Sequence, residues 1–123
     1  MRPSTLHECF TLARIQLSEE DLKVVANSER NDLNDFHFSL GMSIRNAWLY
    51  PKDSVLRDKL VGVGFVHPDE MSTLVIEALW LDLNGHELDL PTLREMVGWS
   101  GRSRYDRKEE DARLLDLLGA ADP

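Results

Sequence analysis

The amino-acid sequence predicts an all-α fold, and three observations lead to that prediction. Apolar residues recur at helical spacing over most of the chain, capping residues precede these runs, and no useful stretch alternates like a half-buried strand. With 123 residues and 42% hydrophobic content, the chain can build one core without cross-links. We therefore expect a single compact helical domain, 1–123, of five or six helices.

The first two helices are predicted from their caps. Thr5 is followed three residues later by Glu8, which is the capping-box pattern, so a helix should run to about residue 17. Ser18 precedes three acidic residues, which favour a helix N-terminus because of the helix dipole. A short second helix is expected from there to about residue 26.

The third predicted helix, about 33–49, is the first of two central apolar helices. Gly41 lies inside it and lowers helix propensity by about 1 kcal/mol relative to Ala, so a close-packed neighbour is expected there. Pro51 closes the segment. The apolar positions that define and widen its stripe are Phe36, Phe38, Leu40, Met42, Ile44, Ala47 and Leu49.

The second central helix is predicted over about 68–84. Pro68 suits the first helical position, where an N–H has no partner, and Asp69 places negative charge at the positive end of the helix dipole. Before it, Asp53 is expected to cap a short fourth helix. The wide apolar arc of 68–84 favours burial on several sides.

Two further helices are expected in the C-terminal third. Asp89 is predicted to start one that runs to about Val97, and the last is predicted over about 106–118. The connection into it mixes Arg102 and Arg104 with several carboxylates, which is typical of a solvated segment.

Charge and composition exclude several classes of function. The 14 Lys and Arg residues against 22 Asp and Glu residues give a net charge of −8, which opposes binding to a phosphate backbone, so no nucleic acid is expected as partner. No run approaches the roughly 20 apolar residues that a membrane helix needs, and no secretory leader is recognisable. We expect a soluble, cytoplasmic protein without membrane contact.

Catalytic and metal-binding motifs are not found. The four histidines do not fall three or four residues apart, so no metal and no cofactor is expected. Cys9 lies on the apolar side of its helix, where a thiol usually packs as a small hydrophobe. No catalytic residue is assigned, and an enzyme is the less favoured class.

A polar group borders the predicted core and supplies the candidate binding residues. His37, Gly41, Arg45 and Trp48 share one side of the third helix, and a buried arginine requires a carboxylate partner, for which Asp69 or Glu70 qualifies. We favour a structural ion pair over a catalytic arginine.

Trp80 is a further candidate because it falls on the polar edge of the second central helix. It either anchors a partner or is covered by the C-terminal helix.

The segment "FHFSLGMSIRNAW" at 36–48, followed by "HPDEMS" at 67–72, resembles a family of small bacterial domains of unknown function. The family pattern reads HFxLGxxIRNxW and then HPD(D/E)MS, and the resemblance is good over about 33–85. This chain departs from that pattern at Ser43, where the family has Trp. The resemblance implies the two-central-helix architecture and brings no established activity. The residues that it marks are His37, Arg45, Asn46, His67 and Asp69.

The function favoured by these observations is binding to another protein, with a basic surface on the partner. Small acidic proteins without a catalytic signature are often immunity or antitoxin-like inhibitors of basic partners. The alternative is an enzyme or small-ligand binder with a polar pocket between the central helices, built on His37, Arg45, His67 and Asp69. The sequence leaves the partner's identity and the oligomeric state open.

Overall fold

The computed structural model describes residues 1–36, 38–98 and 106–119, and all regular structure in these residues is helical. The all-α prediction is confirmed. The helices are α1 (Leu6–Gln16), α2 (Glu19–Asn27), a 3-10 helix (Arg30–Phe36), α3 (Leu40–Ile44) continued by a π-helical turn (Arg45–Leu49), α4 (Val55–Gly62), α5 (Pro68–Leu83), α6 (Leu90–Val97) and α7 (Arg107–Leu118).

The expected number of five or six helices is wrong. With α3 and its π-helical turn taken as one helix, the described residues contain eight. The difference arises in part because the seven-residue 3-10 helix forms separately from the helix predicted over 33–49. Segments this short are marginal in isolation and depend on tertiary packing, which periodicity alone underestimates.

The helix starts follow local capping chemistry. The Thr5 hydroxyl accepts from the Glu8 amide at 3.2 Å, and the Ser18 hydroxyl accepts from the Asp21 amide at 3.0 Å. The cap of α4 is Ser54 rather than the predicted Asp53. A serine oxygen performs the same capping as a carboxylate, so the start moves by one residue.

The predicted helix 33–49 is divided in two. Leu33 and Phe36 belong to the 3-10 helix, and α3 begins only at Leu40. Asn34 and Asp35 favour non-helical local hydrogen bonds, and an i, i+3 apolar spacing places Leu33 and Phe36 along one edge of a 3-10 helix. The boundary near residue 33 is therefore wrong, while the C-terminal boundary at Leu49 holds.

The division also changes which side of the third helix is buried. The buried residues of this segment are Leu40, Gly41, Ile44, Arg45, Trp48 and Leu49, whereas the predicted core positions Phe38, Met42 and Ala47 are exposed. The new start at Leu40 and the wider π-helical turn rotate the face that meets the core.

The second central helix is α5, and its bounds agree with the prediction of 68–84 within one residue. Eight of its residues are buried, and it packs against α1, α2, the 3-10 helix and α3 with its π-helical turn. The C-terminal helix predicted over 106–118 is α7, whose cap is Asp106. It packs against α1, α4 and α6. Within the described ranges, no helix is long and apolar enough to cross a membrane.

Candidate functional site

The two central helices are joined by a buried arginine. Arg45 on the π-helical turn is 4% exposed, and its Nη1 donates to the Ser72 hydroxyl of α5 at 2.9 Å. Its Nε lies 3.7 Å from Asp69 Oδ1, one of the two partners expected from the sequence. The Asp69 side chain is 62% exposed, so the buried cation meets its carboxylate at the protein surface.

Gly41 makes room for this arginine. A Cβ atom added at Gly41 would lie 3.1 Å from Arg45 Nη1 and 3.2 Å from the Phe36 carbonyl oxygen. Both contacts are tighter than ordinary van der Waals distances, so the guanidinium occupies the space that a side chain would need. The close-packed neighbour expected at this glycine is present. It consists of the Arg45 side chain and the Phe36 carbonyl group.

The other residues marked by the resemblance do not converge on Arg45. Asn46 is exposed, and His67 is an exposed residue at the N-cap of α5 whose side chain makes no capping hydrogen bond. His37 lies outside the described residues. Of this set, the structure brings together Arg45 and Asp69.

Trp80 is half-buried and its polar atom is engaged within the chain. Its Nε1 donates to the Ser28 carbonyl at 2.8 Å, and the Arg30 guanidinium carbon lies 6.0 Å from its ring centroid. Trp80 is therefore covered by the segment after α2. One of the two alternatives expected from the sequence was that the C-terminal helix would cover it. Trp80 lies eleven residues after Asp69 on α5, about 16 Å along the axis, so the two belong to different parts of the surface.

A groove runs along the exposed side of α5. It encloses a cavity of about 290 Å³. Its floor is apolar, and carboxylates stand along its α5 edge. The lining residues are Phe65, Asp69, Glu70, Thr73, Leu74, Glu77 and Met96. We refer to these seven residues as the α5 groove.

Two of the three carboxylates in the α5 groove are paired with arginines of the same chain. Asp69 faces Arg45, and Glu77 Oε1 accepts from Arg30 Nε at 2.9 Å. Glu70 has no cationic partner within the described residues and is exposed. The uncompensated charge of the groove is therefore concentrated at its Glu70 end, next to apolar floor.

Cys9 is the one cysteine of the sequence, and it is buried in the core. Burial raises the pKa of the Cys9 thiol well above its ordinary value, with a smaller contribution from the Glu8 charge, so the reactive thiolate is suppressed. No group of three or more His, Cys, Asp or Glu side chains is placed to hold a metal within the ranges that the structure describes.

The sequence reasoning found Asp69 but missed the groove around it. Glu70, Thr73, Leu74 and Glu77 are spaced by three and four residues, so a helical wheel places them on one side of α5. Phe65 and Met96, the other lining residues, come from outside α5, and only the tertiary fold brings them there.

Comparison with known proteins identifies the family. A family model described as "Domain of unknown function (DUF6794)" matches residues 2–83, which contain α1 through α5 and therefore both central helices. Neither the curated proteins nor the solved structures include a match to this chain. The matched span is about two thirds of the chain and begins well before the predicted family-like core of 33–85. The chain therefore belongs to the DUF6794 family of domains of unknown function.

Proposed function

We propose that this domain binds another protein through the α5 groove. The observation that supports the proposal is an open cavity of about 290 Å³ whose apolar floor adjoins Glu70, a carboxylate with no cationic partner in the part of the chain that the structure describes. Protein-binding sites commonly combine a buried apolar anchor with polar groups at the rim that fix orientation.

The partner segment is proposed to place an apolar side chain over Leu74 and Met96, with a basic side chain near Glu70. Glu70 is the lining carboxylate that can still gain a cation, because Asp69 and Glu77 already have arginines beside them. The net charge of −8 also attracts a basic partner over longer distances and disfavours an acidic one. In its most specific form, the proposal is that the domain acts as an immunity or antitoxin-like inhibitor of such a partner.

The alternative, an enzyme or small-ligand binder with a pocket between the central helices, has less support. Arg45 fills the space beside Gly41, and His67 is exposed rather than turned into such a pocket. The α5 groove is also at the lower limit of the roughly 300–1,000 Å³ of typical small-molecule sites.

The test uses the full chain, labelled with ¹⁵N, and three short peptides of equal length. Each peptide contains Leu, and its neighbour is Arg in one, Gln in the second and Glu in the third. We expect the Arg peptide to shift the amide signals of Glu70, Thr73 and Glu77, with a Kd on the order of 0.1–1 mM. The Gln peptide should bind more weakly, and the Glu peptide should not bind measurably.

A matched pair of variants separates the site from the overall charge. Glu70→Gln should weaken the Arg peptide about 3- to 10-fold, since it removes the uncompensated carboxylate. Glu87→Gln removes one exposed carboxylate that does not line the groove and should leave the Kd unchanged. Equal binding of all three peptides, or amide shifts confined to other surfaces, would contradict the proposal.

A further inference from the structure

The sequence contains one Asn-Gly pair, and it lies at the C-terminal end of α5. Asn84 is the C-cap of this helix, and Gly85 follows it with φ +75°. The other four asparagines precede Ser, Asp or Ala. The backbone nitrogen after an asparagine can attack the side-chain amide, and glycine hinders this attack least because it has no Cβ. Asn84 is therefore the asparagine at which such a reaction should be fastest.

The Asn-Gly pair is open to solvent. Asn84 and Gly85 are both exposed, and no described atom lies within 4 Å of a Cβ added at Gly85. Water can therefore reach the Asn84 side chain, and that side chain has room to rotate towards the Gly85 nitrogen. Burial does not protect this amide, so any protection must come from its hydrogen bonds.

The side-chain amide of Asn84 links the ends of two helices. Its Nδ2 donates to the Trp80 carbonyl in the last turn of α5 at 2.9 Å and to the Ala26 carbonyl of α2 at 3.2 Å. The Ala26 carbonyl is one of the last four of α2, which have no partner within the helix. The two hydrogens of one amide therefore hold the end of α2 against the end of α5.

The nitrogen that would attack is also engaged. The Gly85 amide donates to the Asp82 carbonyl at 3.1 Å. Ring closure requires the Asn84 side chain to leave both of its acceptors and the Gly85 amide to leave Asp82. The folded chain should therefore react only from a form in which the end of α5 has opened locally.

We infer that Asn84 is a modification site, at which the chain deamidates spontaneously when the end of α5 opens. The Gly85 nitrogen forms a bond to Asn84 Cγ, the bond between Cγ and Nδ2 breaks, and Nδ2 leaves as ammonia with the Gly85 amide proton. Water then adds to the cyclic imide. Release of the nitrogen from Cγ gives aspartate, and release from the main-chain carbonyl gives isoaspartate. This inference is independent of the α5 groove.

Deamidation removes the link between α2 and α5. A carboxylate has no hydrogen to donate, so at this position it would face the Ala26 and Trp80 carbonyl oxygens without a hydrogen bond. The added negative charge is also unfavourable at the C-terminal end of α5, where the helix dipole is negative. Two residues after Ala26, the Ser28 carbonyl accepts from Trp80 Nε1 at 2.8 Å, so the cover of Trp80 belongs to the same segment. The modified chain should therefore leave Trp80 more open to solvent.

Mass spectrometry of peptides from the full chain, aged in native buffer and in guanidinium chloride, tests the site and its protection. In guanidinium chloride, Asn84 should convert faster than the other four asparagines, and Gly85→Ala should slow the conversion. In native buffer, Asn84 should convert at least about 10-fold more slowly, which corresponds to an opening free energy of about 1.4 kcal/mol or more.

Two variants test whether local opening controls the native rate. Trp80→Phe removes the indole donor to Ser28 and should speed the conversion of Asn84 in native buffer at least about 3-fold. Arg2→Ala is the control, because it removes an ion pair with Asp53 at the other end of the chain, and it should change the rate by less than about 2-fold. Equal rates in both buffers, a native chain that never converts, or equal effects of the two variants would each overturn the inference.

Asn84→Asp reproduces the aspartate product, and Asn46→Asp is its matched control because Asn46 is exposed and gains the same charge. Asn84→Asp should speed hydrogen exchange of the Trp80 indole N–H at least about 10-fold, whereas Asn46→Asp should change it by less than about 2-fold. If Asn84→Asp does not fold, aged wild type replaces it, since anion exchange separates the product by its added charge. Equal exchange of the Trp80 indole in both variants would contradict the proposed link between α2 and α5.

Discussion

Arg45 shows how a charge is accommodated in this core. A buried guanidinium is tolerated only when its donors are satisfied and a counter-charge is near. Here Ser72 accepts from Nη1 at 2.9 Å, and Asp69 supplies the negative charge from the surface at 3.7 Å. Because Asp69 is mostly solvated, its Coulomb contribution is screened, and the burial of the arginine side chain, whose guanidinium lies beside Gly41, should contribute more to stability.

The contrast between the packing of Arg45 and the screened charge of Asp69 gives the first prediction. We expect Arg45→Ala to lower the free energy of unfolding by about 2–4 kcal/mol, because it removes packing and leaves a cavity between the central helices. Asp69→Asn should lower it by about 1 kcal/mol or less, since the carboxylate is exposed. Urea denaturation of the two variants measures both values.

Arg14→Ala is the control for that experiment. Arg14 pairs with Asp82 at 2.8 Å, but its side chain is 51% exposed, so its removal should lower the free energy of unfolding by about 1 kcal/mol or less. If Arg45→Ala proves no more destabilising than Arg14→Ala, the structural role of Arg45 is refuted.

At the scale of elements, short side-chain caps set where the helices begin. Thr5, Ser18, Ser54, Asp89 and Asp106 each accept a hydrogen bond from the amide three residues later, at distances between 2.8 and 3.2 Å. Each cap satisfies an amide that would otherwise lack a partner in the first turn. Four of these starts were predictable because capping depends on residues that are neighbours in sequence.

The cap of α6 predicts a pH dependence. Hydrogen bonds from the Thr92 side chain and amide hold the pKa of the Asp89 carboxyl below its usual range. Because the folded-state pKa is lowered, the cap stabilises the fold above the unfolded-state value of about 4, and this contribution is lost as the pH falls through the folded-state pKa. Asp89→Asn should therefore be less stable than wild type at pH about 6, and the difference should shrink as the pH falls below the unfolded-state value of about 4 and through the folded-state pKa. Urea denaturation across this range measures the difference, and a difference that stays constant with pH would contradict it.

The contact between α1 and α7 predicts the effect of a glycine substitution. Gly119 ends α7 with φ +62°, and an added Cβ would overlap the Thr5 side chain, far inside van der Waals contact. Gly119→Ala should therefore destabilise by about 3 kcal/mol or more, combining left-handed backbone strain with overpacking.

Gly85→Ala isolates the backbone part of that effect. Gly85 has φ +75° and no atom within 4 Å of the added Cβ, so only about 1–2 kcal/mol of strain is expected. Thermal or urea denaturation of both variants gives the difference. Equal losses would mean that α7 does not pack tightly against the start of α1.

The features that were predicted from the sequence depend mainly on residues that are close together in the chain. The groove that was missed depends on residues that are far apart in the chain. The bounds of α5 were predictable because Pro68 and the apolar positions that follow are local signals. The division of 33–49 was missed because the apolar stripe continues across the break before Leu40. Asp69 was found as a partner for Arg45, but the groove around it requires Met96, which is 27 residues away. Contacts of that separation leave no periodic trace in one sequence.

For the whole molecule, the family match and the hydrophobic core have different limits. The match ends at residue 83, whereas the cluster of buried residues extends from Leu6 to Leu118. Five buried leucines lie beyond the match, and at about 2 kcal/mol each their burial amounts to about 10 kcal/mol, comparable to the net stability of a typical domain. These residues are Leu88, Leu93, Leu114, Leu117 and Leu118.

The last prediction is that the full chain unfolds in one cooperative transition. Leu114 and Leu117 are fully buried on α7, which packs on α1 and α4 inside the family-matched span, so α7 cannot detach without exposing that core. Urea unfolding followed by tryptophan fluorescence and by far-UV circular dichroism should give the same midpoint. Hydrogen exchange should give amides in the middle of α7 the same opening free energy as those of α5, since both would require global unfolding. Separate midpoints, or exchange in α7 that is faster by orders of magnitude, would show that the segment beyond residue 83 is an accessory to a core that folds independently.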